Sequence, residues 1–242
     1  MTNAIEIKNL EKVYGKKTAV DQLSLDIKEG ELFALLGVNG AGKTTTIKML
    51  TGLAKPTSGE AFIEGMSILK NINDIKKIIN VSPQETAVAP NLSVRENLEF
   101  MASIYESDNI EDKVTHIIKK FNLEEVENTK AKILSGGWQR RLSIAMALIT
   151  EPKIIFLDEP TLGLDVLARR ELWKIIEELK GKITIILTTH YMEEAEVLSD
   201  RIGIMVKGKL LTVGTAKELI KKAKTKNFED AFVEIATKGE II

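Results

Sequence analysis

The chain has 242 residues, a formal net charge of −1 and no cysteine. That length can bury a full core in one domain, and the near-neutral charge argues against a nucleic-acid partner held by bulk electrostatics. Disulfides, thiolate metal sites and cysteine nucleophiles are excluded; with no apolar run near the roughly 18 residues that cross a bilayer and no signal peptide, a soluble cytoplasmic protein is expected.

Strand-like patterning covers residues 4–10 and 18–27, punctuated by Gly15 and Gly30. Residues 32–36 form an all-apolar strand, and after an intervening loop a helix is expected over Thr46–Leu53. Pro56 and Gly59 mark turns before a strand at Glu60–Ile63, and Ile78–Ser82 is a short strand ending at Pro83 and Gln84. Helices follow at Ser93–Tyr105, Ile110–Phe121 and Gly136–Ile149, the first opened by Ser93 with Glu96 as a capping box. Three helices with no strand between them predict an inserted helical subdomain over roughly 85–150.

The αβ rhythm returns with a strand at Ile154–Leu157 and a helix at Val166–Leu179. That helix keeps Ala168, Leu172, Ile175, Ile176 and Leu179 on one face and stops at Gly181. A strand at Ile183–Thr189 precedes a hairpin, Ile202–Val206 and Leu210–Val213, around Lys207-Gly208-Lys209. The stretch Phe228–Ile242 is amphipathic and carries no motif. The expectation is a single α/β domain with a mostly parallel sheet, its core at 1–84 and 151–225 and a short tail at 226–242.

Three segments carry chemistry. The loop Gly37-Val38-Asn39-Gly40-Ala41-Gly42-Lys43-Thr44-Thr45 has the phosphate-loop spacing between a strand and a helix. Backbone N–H groups can crowd a triphosphate only where side chains are missing, at Gly37, Gly40 and Gly42, and the following helix points its N-terminal dipole at the charge. Lys43 can reach the outer phosphates and the Thr44 hydroxyl can ligate Mg²⁺. The strand Ile154–Leu157 then delivers Asp158 and Glu159, the first suited to hold Mg²⁺ through water and the second to polarise an attacking water. Leu134-Ser135-Gly136-Gly137 is a helix N-terminus stripped of side chains, open to an anion, although an ordinary serine cap uses the same residues. His116, on a helix face, is read as structural.

These segments, with Gln84, Asp165 and His190 in the same order, resemble the ATP-binding subunits of ABC transporters over nearly the whole chain. The resemblance implies a P-loop NTPase core with an antiparallel β part near the N-terminus and the inserted helical subdomain. It implies ATP and Mg²⁺ as cofactors, held by Gly37, Asn39, Gly40, Ala41, Gly42, Lys43, Thr44 and Thr45, with Tyr14 stacking on adenine. Thr44, Gln84 and Asp158 would serve the metal, and Glu159, His190, Lys43 and Gln84 the hydrolysis. Two such domains would pair head to tail, so that Ser135, Gly136, Gly137 and Asp165 of one complete the nucleotide site of the other. The second ATP-binding subunit would be a copy of this chain or a different one. Trp138 stands where the family's signature usually has Gln.

The segments Asn91–Leu98 and His190–Glu196 look like the branch driving multidrug, antibiotic, polysaccharide or sodium export (ABC-2 type). The expected partner is a separate transmembrane permease whose coupling helix docks near Gln84–Glu99, with Arg95 as a contact. The expected location is peripheral, on the cytoplasmic face of the membrane. An amino-acid importer ATPase and a soluble iron–sulfur-assembly ATPase stay open as alternatives.

Overall fold

Asn3–Tyr14 (β1) runs antiparallel to Lys17–Lys28 (β2), with Tyr14 opposite Lys17 across a turn at Gly15. With Ser58–Ile63 (β4) and Met66–Ser67 (β5) they form a four-stranded antiparallel sheet in the order β2-β1-β4-β5. The computed structural model describes residues 2–105 and 108–240; Met1 of the predicted core and Ile241 and Ile242 of the predicted tail lie outside the described residues.

The second sheet has six strands. Leu32–Leu36 (β3), Ile79–Ser82 (β6), Ile154–Asp158 (β7), Thr184–Thr189 (β8), Arg201–Val206 (β9) and Lys209–Gly214 (β10) lie in the order β10-β9-β3-β8-β7-β6. All neighbours pair in parallel except the β9–β10 hairpin. The apolar strands divide by parity, as the two-residue period of a strand requires. Leu32, Ala34, Leu36, Ile155, Leu157, Ile185 and Leu187 enter one core, packed against the helices. Phe33, Leu35, Ile154, Phe156 and Ile186 enter a second core, against the antiparallel sheet and the helix Lys43–Leu50 (α1). A strand buried on both faces needs a continuous apolar run, and β3, β7 and β8 supply it.

After the four-residue α2 (Ile72–Ile75) and β6 come Val94–Ile104 (α3), Ile110–Lys120 (α4) and Gly136–Leu148 (α5), with no strand among them. The Ser93–Glu96 capping box forms in both directions. Val166–Leu179 (α6) buries Leu172, Ile175, Ile176 and Leu179, the predicted face, apart from Ala168 at its exposed start. Met192–Leu198 (α7) and Ala216–Ala223 (α8) go beyond the sequence reading, though Thr215 and Glu218 carry the same capping-box pattern. Phe228–Glu240 (α9) is no loose tail: Phe228 and Phe232 are buried in the larger core. The helix predicted at Thr46–Leu53 starts three residues earlier, at Lys43. Its glycine cap, Gly42, is at φ 108°, and it ends at Leu50 ahead of Gly52 at φ 74°.

Candidate functional site

Because β3, β7 and β8 are parallel neighbours, their carboxyl ends deliver Gly37, Glu159 and His190 to one edge of the sheet. Crevices at such edges are where open α/β sheets bind ligands. The loop after β3 is held from both sides. The Gly37 N–H donates to the Thr189 carbonyl at 3.2 Å. A Cβ on Gly37 would sit 2.3 Å from the Met205 carbonyl oxygen, and one on Gly42 would sit 2.5 Å from that of Ala19. These two glycines are therefore demanded by the fold as well as by any phosphate. Gly40 has nothing within 4 Å of a built Cβ, but its φ of 81° favours glycine.

Lys43 opens α1 and is buried, its ammonium donating to Gly37 O at 2.6 Å and facing Glu159 Oε1 at 3.1 Å. Glu159 is 5 % exposed, and its other oxygen, Oε2, lies 2.7 Å from His190 Nδ1. An ionised carboxylate only accepts, so Nδ1 carries the hydrogen and Nε2 is the nitrogen left for another partner. A buried charge costs several kcal/mol unless paired, on the order of the loss seen when one partner is removed. Glu159 is paired on both oxygens. Its backbone is strained, at φ 50°, and its N–H donates to the Thr188 carbonyl and hydroxyl, each at 3.1 Å. Asp158 Oδ1 accepts from the hydroxyls of Thr44 at 3.1 Å and Thr188 at 2.5 Å.

Arg140, on α5, reaches under this edge. Its guanidinium donates to the carbonyls of Pro160, Pro83, Gln84, Asp158 and Glu159. Burial pushes its pKa down to about 10, against the raising effect of Asp158, Glu194 and Glu159. Hydrogen bonds from a charged donor contribute about 1.5–3 kcal/mol each, enough for five of them to offset the desolvation. It stays charged at neutral pH. The sequence reading misses Arg140 and Thr188. An arginine in a helix, here followed by a second one, and a threonine in a strand give no local signal that they bind main-chain atoms far away in sequence.

Tyr14, Asn39, Gly40, Ala41, Gly42, Lys43, Thr44, Thr45, Gln84, Glu159 and His190 line one cavity of about 490 Å³, within the range of small-molecule sites. Tyr14 is half exposed, with Lys12 Nζ 4.8 Å from its ring centre. Ser135, Gly136, Gly137 and Asp165 line a different cavity of about 410 Å³, so a single chain does not bring the two sets together. Ser135 caps α5 through the Trp138 N–H at 3.5 Å. Asp165 caps α6, accepting from Leu167 and Ala168 at 2.9 and 3.0 Å, which holds its carboxyl below the usual range. A Cβ on Gly136 would meet nothing, so its bareness answers no need of this chain's own packing. Trp138 is half-buried under the Arg141 guanidinium, 4.7 Å from the ring, and Arg141 is ion-paired with Glu171. Arg95 is engaged within the chain, by Glu127 at 2.5 Å and Glu99 at 3.6 Å.

Residues 20–162 match the family described as ABC transporter. The human "Phospholipid-transporting ATPase ABCA3" is 43 % identical over 224 residues, covering 90 % of this chain and 13 % of that protein. "ABC transporter A family member 5" of Arabidopsis thaliana is 45 % identical over 227 residues, covering 90 % and 24 %. The chain thus spans less than a quarter of these relatives. A structure of an ATP-binding subunit of an ABC transporter superposes with TM-score 0.86 at 28 % identity, over 97 % of this chain and 99 % of that one. A dimeric post-hydrolysis ATP-binding cassette bound to ADP and Pi gives TM-score 0.80 at 28 % identity, over 87 % and 98 %. The chain belongs to the ABC transporter family, as an ATP-binding ATPase domain.

Proposed function

We propose that this domain hydrolyses ATP with Mg²⁺ in a head-to-tail pair of copies and that the cycle drives a membrane exporter. The observation that carries the reading is the buried chain Lys43–Glu159–His190 at the mouth of the phosphate loop. Thr44 and Asp158 offer hard oxygens that already lie 3.1 Å apart, and with Gln84 they would hold Mg²⁺. Magnesium sites of this kind use one or two carboxylates together with substrate phosphates. That fits a site where, among the described residues, no group of three acidic, His or Cys side chains gathers. Bound there, the metal would neutralise charge on the β- and γ-phosphates.

In the hydrolytic step a water oxygen attacks the γ-phosphorus, the bond to the β–γ bridging oxygen breaks, and ADP leaves. Glu159 would orient that water and accept its proton, with His190 fixing the carboxylate through Nδ1. Lys43 would move its ammonium from Gly37 O to the outer phosphates. Ser135, Gly136 and Gly137 of a second copy would close on the γ-phosphate, and Asp165 would lie along the same seam. Tyr14 would stack on the base. Closure on ATP and opening after hydrolysis supply the stroke, as a shift between two states that bind ATP and products differently.

Among the described residues no helix is long and apolar enough to cross a membrane; in this reading a transmembrane permease supplies the spanning helices, with this domain on the cytoplasmic face. The kinship with A-family transporters, one of them named for phospholipids, supports an amphiphilic cargo, while export in the ABC-2 branch is read from the segments Asn91–Leu98 and His190–Glu196. The partner's coupling helix would meet α3, where Phe100 and Ile104, four residues apart on one face, are 53 % and 56 % exposed. With Arg95 held inside the chain, this pair is the cleaner probe of docking.

The test is phosphate release together with co-purification from native membranes. Glu159→Gln is expected to bind ATP, to lose at least a hundredfold in kcat, and to retain a polytopic membrane protein. Phe100→Glu with Ile104→Glu is expected to lose that protein. A Glu159→Gln chain that turns over ATP as wild type does would sink the mechanism, and purely soluble partners would sink the exporter.

A further inference from the structure

Behind the Glu159–His190 pair sits a carboxyl that none of these steps uses. Glu194, four residues after His190 in the first turn of α7, has no exposed surface. Its Oε1 accepts from the indole Nε1–H of Trp173 on α6 at 3.0 Å. The hydroxyls of Thr161 and Thr189 approach the same carboxyl. Thr161 is two residues beyond Glu159, and Thr189 directly precedes His190 and accepts from the Tyr191 N–H at 2.9 Å. Three segments therefore meet on one buried side chain: the exit from Glu159, the entry to His190, and α6.

The electrostatics explain how it tolerates that position. Burial raises the Glu194 pKa, hydrogen bonds from Thr189, Thr161 and Trp173 lower it, and the Glu159 charge adds to the rise. The Arg140 guanidinium, the cation that feels Glu194, spends its donors on carbonyls. A carboxyl with no exposed surface depends on hydrogen-bond partners, because a buried polar group without them is costly. Glu194 Oε2 and Thr161 Oγ1 are both buried and otherwise without a hydrogen-bond partner, which leaves each open to the other.

We propose that Glu194 is a positioning residue for hydrolysis: from inside the core it holds the Thr161 and Thr189 segments and so sets the placement of Glu159 against His190. Its bond to Trp173 extends the same tie to α6, whose N-terminus carries Asp165 on the rim of the second cavity. This rests on Glu159 and His190 being the hydrolytic pair.

The experiment compares kcat, KM, ATP affinity and thermal stability in Glu194→Gln, Glu194→Ala and Trp173→Phe. The Gln side chain keeps the size of Glu and an oxygen for the Trp173 indole, so that variant is expected to keep kcat within about threefold of wild type. Glu194→Ala is expected to lose roughly 10–100-fold in kcat, the scale of an ångström-sized misplacement, with KM and ATP affinity unchanged. Trp173→Phe keeps the ring and removes the donor, and should fall between them. A folded Glu194→Ala with wild-type kcat overturns the proposal, as does a Gln variant as slow as Ala. If Ala does not fold, Gln and Trp173→Phe decide: wild-type kcat in Trp173→Phe overturns it. A wild type that releases no phosphate overturns the hydrolytic reading, and this proposal with it.

Discussion

Two glycines show how one residue type serves two ends. Gly42 is at φ 108°, and an added Cβ would lie 2.5 Å from the Ala19 carbonyl, a backbone atom that cannot swing aside. A left-handed alanine alone costs roughly 1–2 kcal/mol, and the clash adds to it. Gly42→Ala is therefore expected to lower the thermal midpoint and ATP affinity together. Gly136 meets nothing within 4 Å and is not left-handed, so Gly136→Ala should leave stability within about 0.5 kcal/mol of wild type. Its turnover should nevertheless fall, because the open space is where a second chain would approach. Calorimetry beside phosphate release separates the two cases, and equal loss of stability in both variants would contradict it. The glycines were legible in the sequence. Their division of labour was not, since Ala19 and Met205 are far from the loop along the chain.

At the scale of elements, the cap of α6 makes a pH-dependent contribution. Asp165 accepts two backbone N–H groups, and they lower its pKa in the folded state. A carboxyl with a depressed folded pKa stabilises above its unfolded value, 3.8, and loses that stabilisation as pH falls through the folded one. Asp165→Ala should melt earlier than wild type at pH 7, and the gap should close in acid. Asp165→Asn, which keeps an acceptor without a charge, should melt between Ala and wild type at pH 7; a gap in Ala that persists unchanged in strong acid would exclude the charged cap. Strands β3, β7 and β8 and helices α3 to α6 were readable because period and caps are local signals. Helix α7 was not. Its Glu193, Glu194 and Glu196 look like a solvated face, and only the approach of Trp173 makes one of them a core residue.

At the scale of the molecule, the residues of one expected site occupy two separate cavities. Those of the phosphate-loop side gather around Lys43 and Glu159, while Ser135, Gly136, Gly137 and Asp165 face another direction. Leu162 lines the first cavity and Leu167 the second, and with Val166 they are between 40 % and 75 % exposed and leave apolar surface that pairing could cover. The order of motifs along the chain led to the expectation of both halves. Their separation in space is a property of the fold, and under the proposed head-to-tail pairing the complete site would span two chains.

The measurement that tests this most directly is the sedimentation of the Glu159→Gln chain with and without saturating ATP and Mg²⁺. The expected result is a monomer alone or with ADP, a dimer with ATP, and a return to monomer when Ser135→Arg is added to the same chain. A Glu159→Gln chain that binds ATP and remains monomeric would contradict a site completed by a second copy.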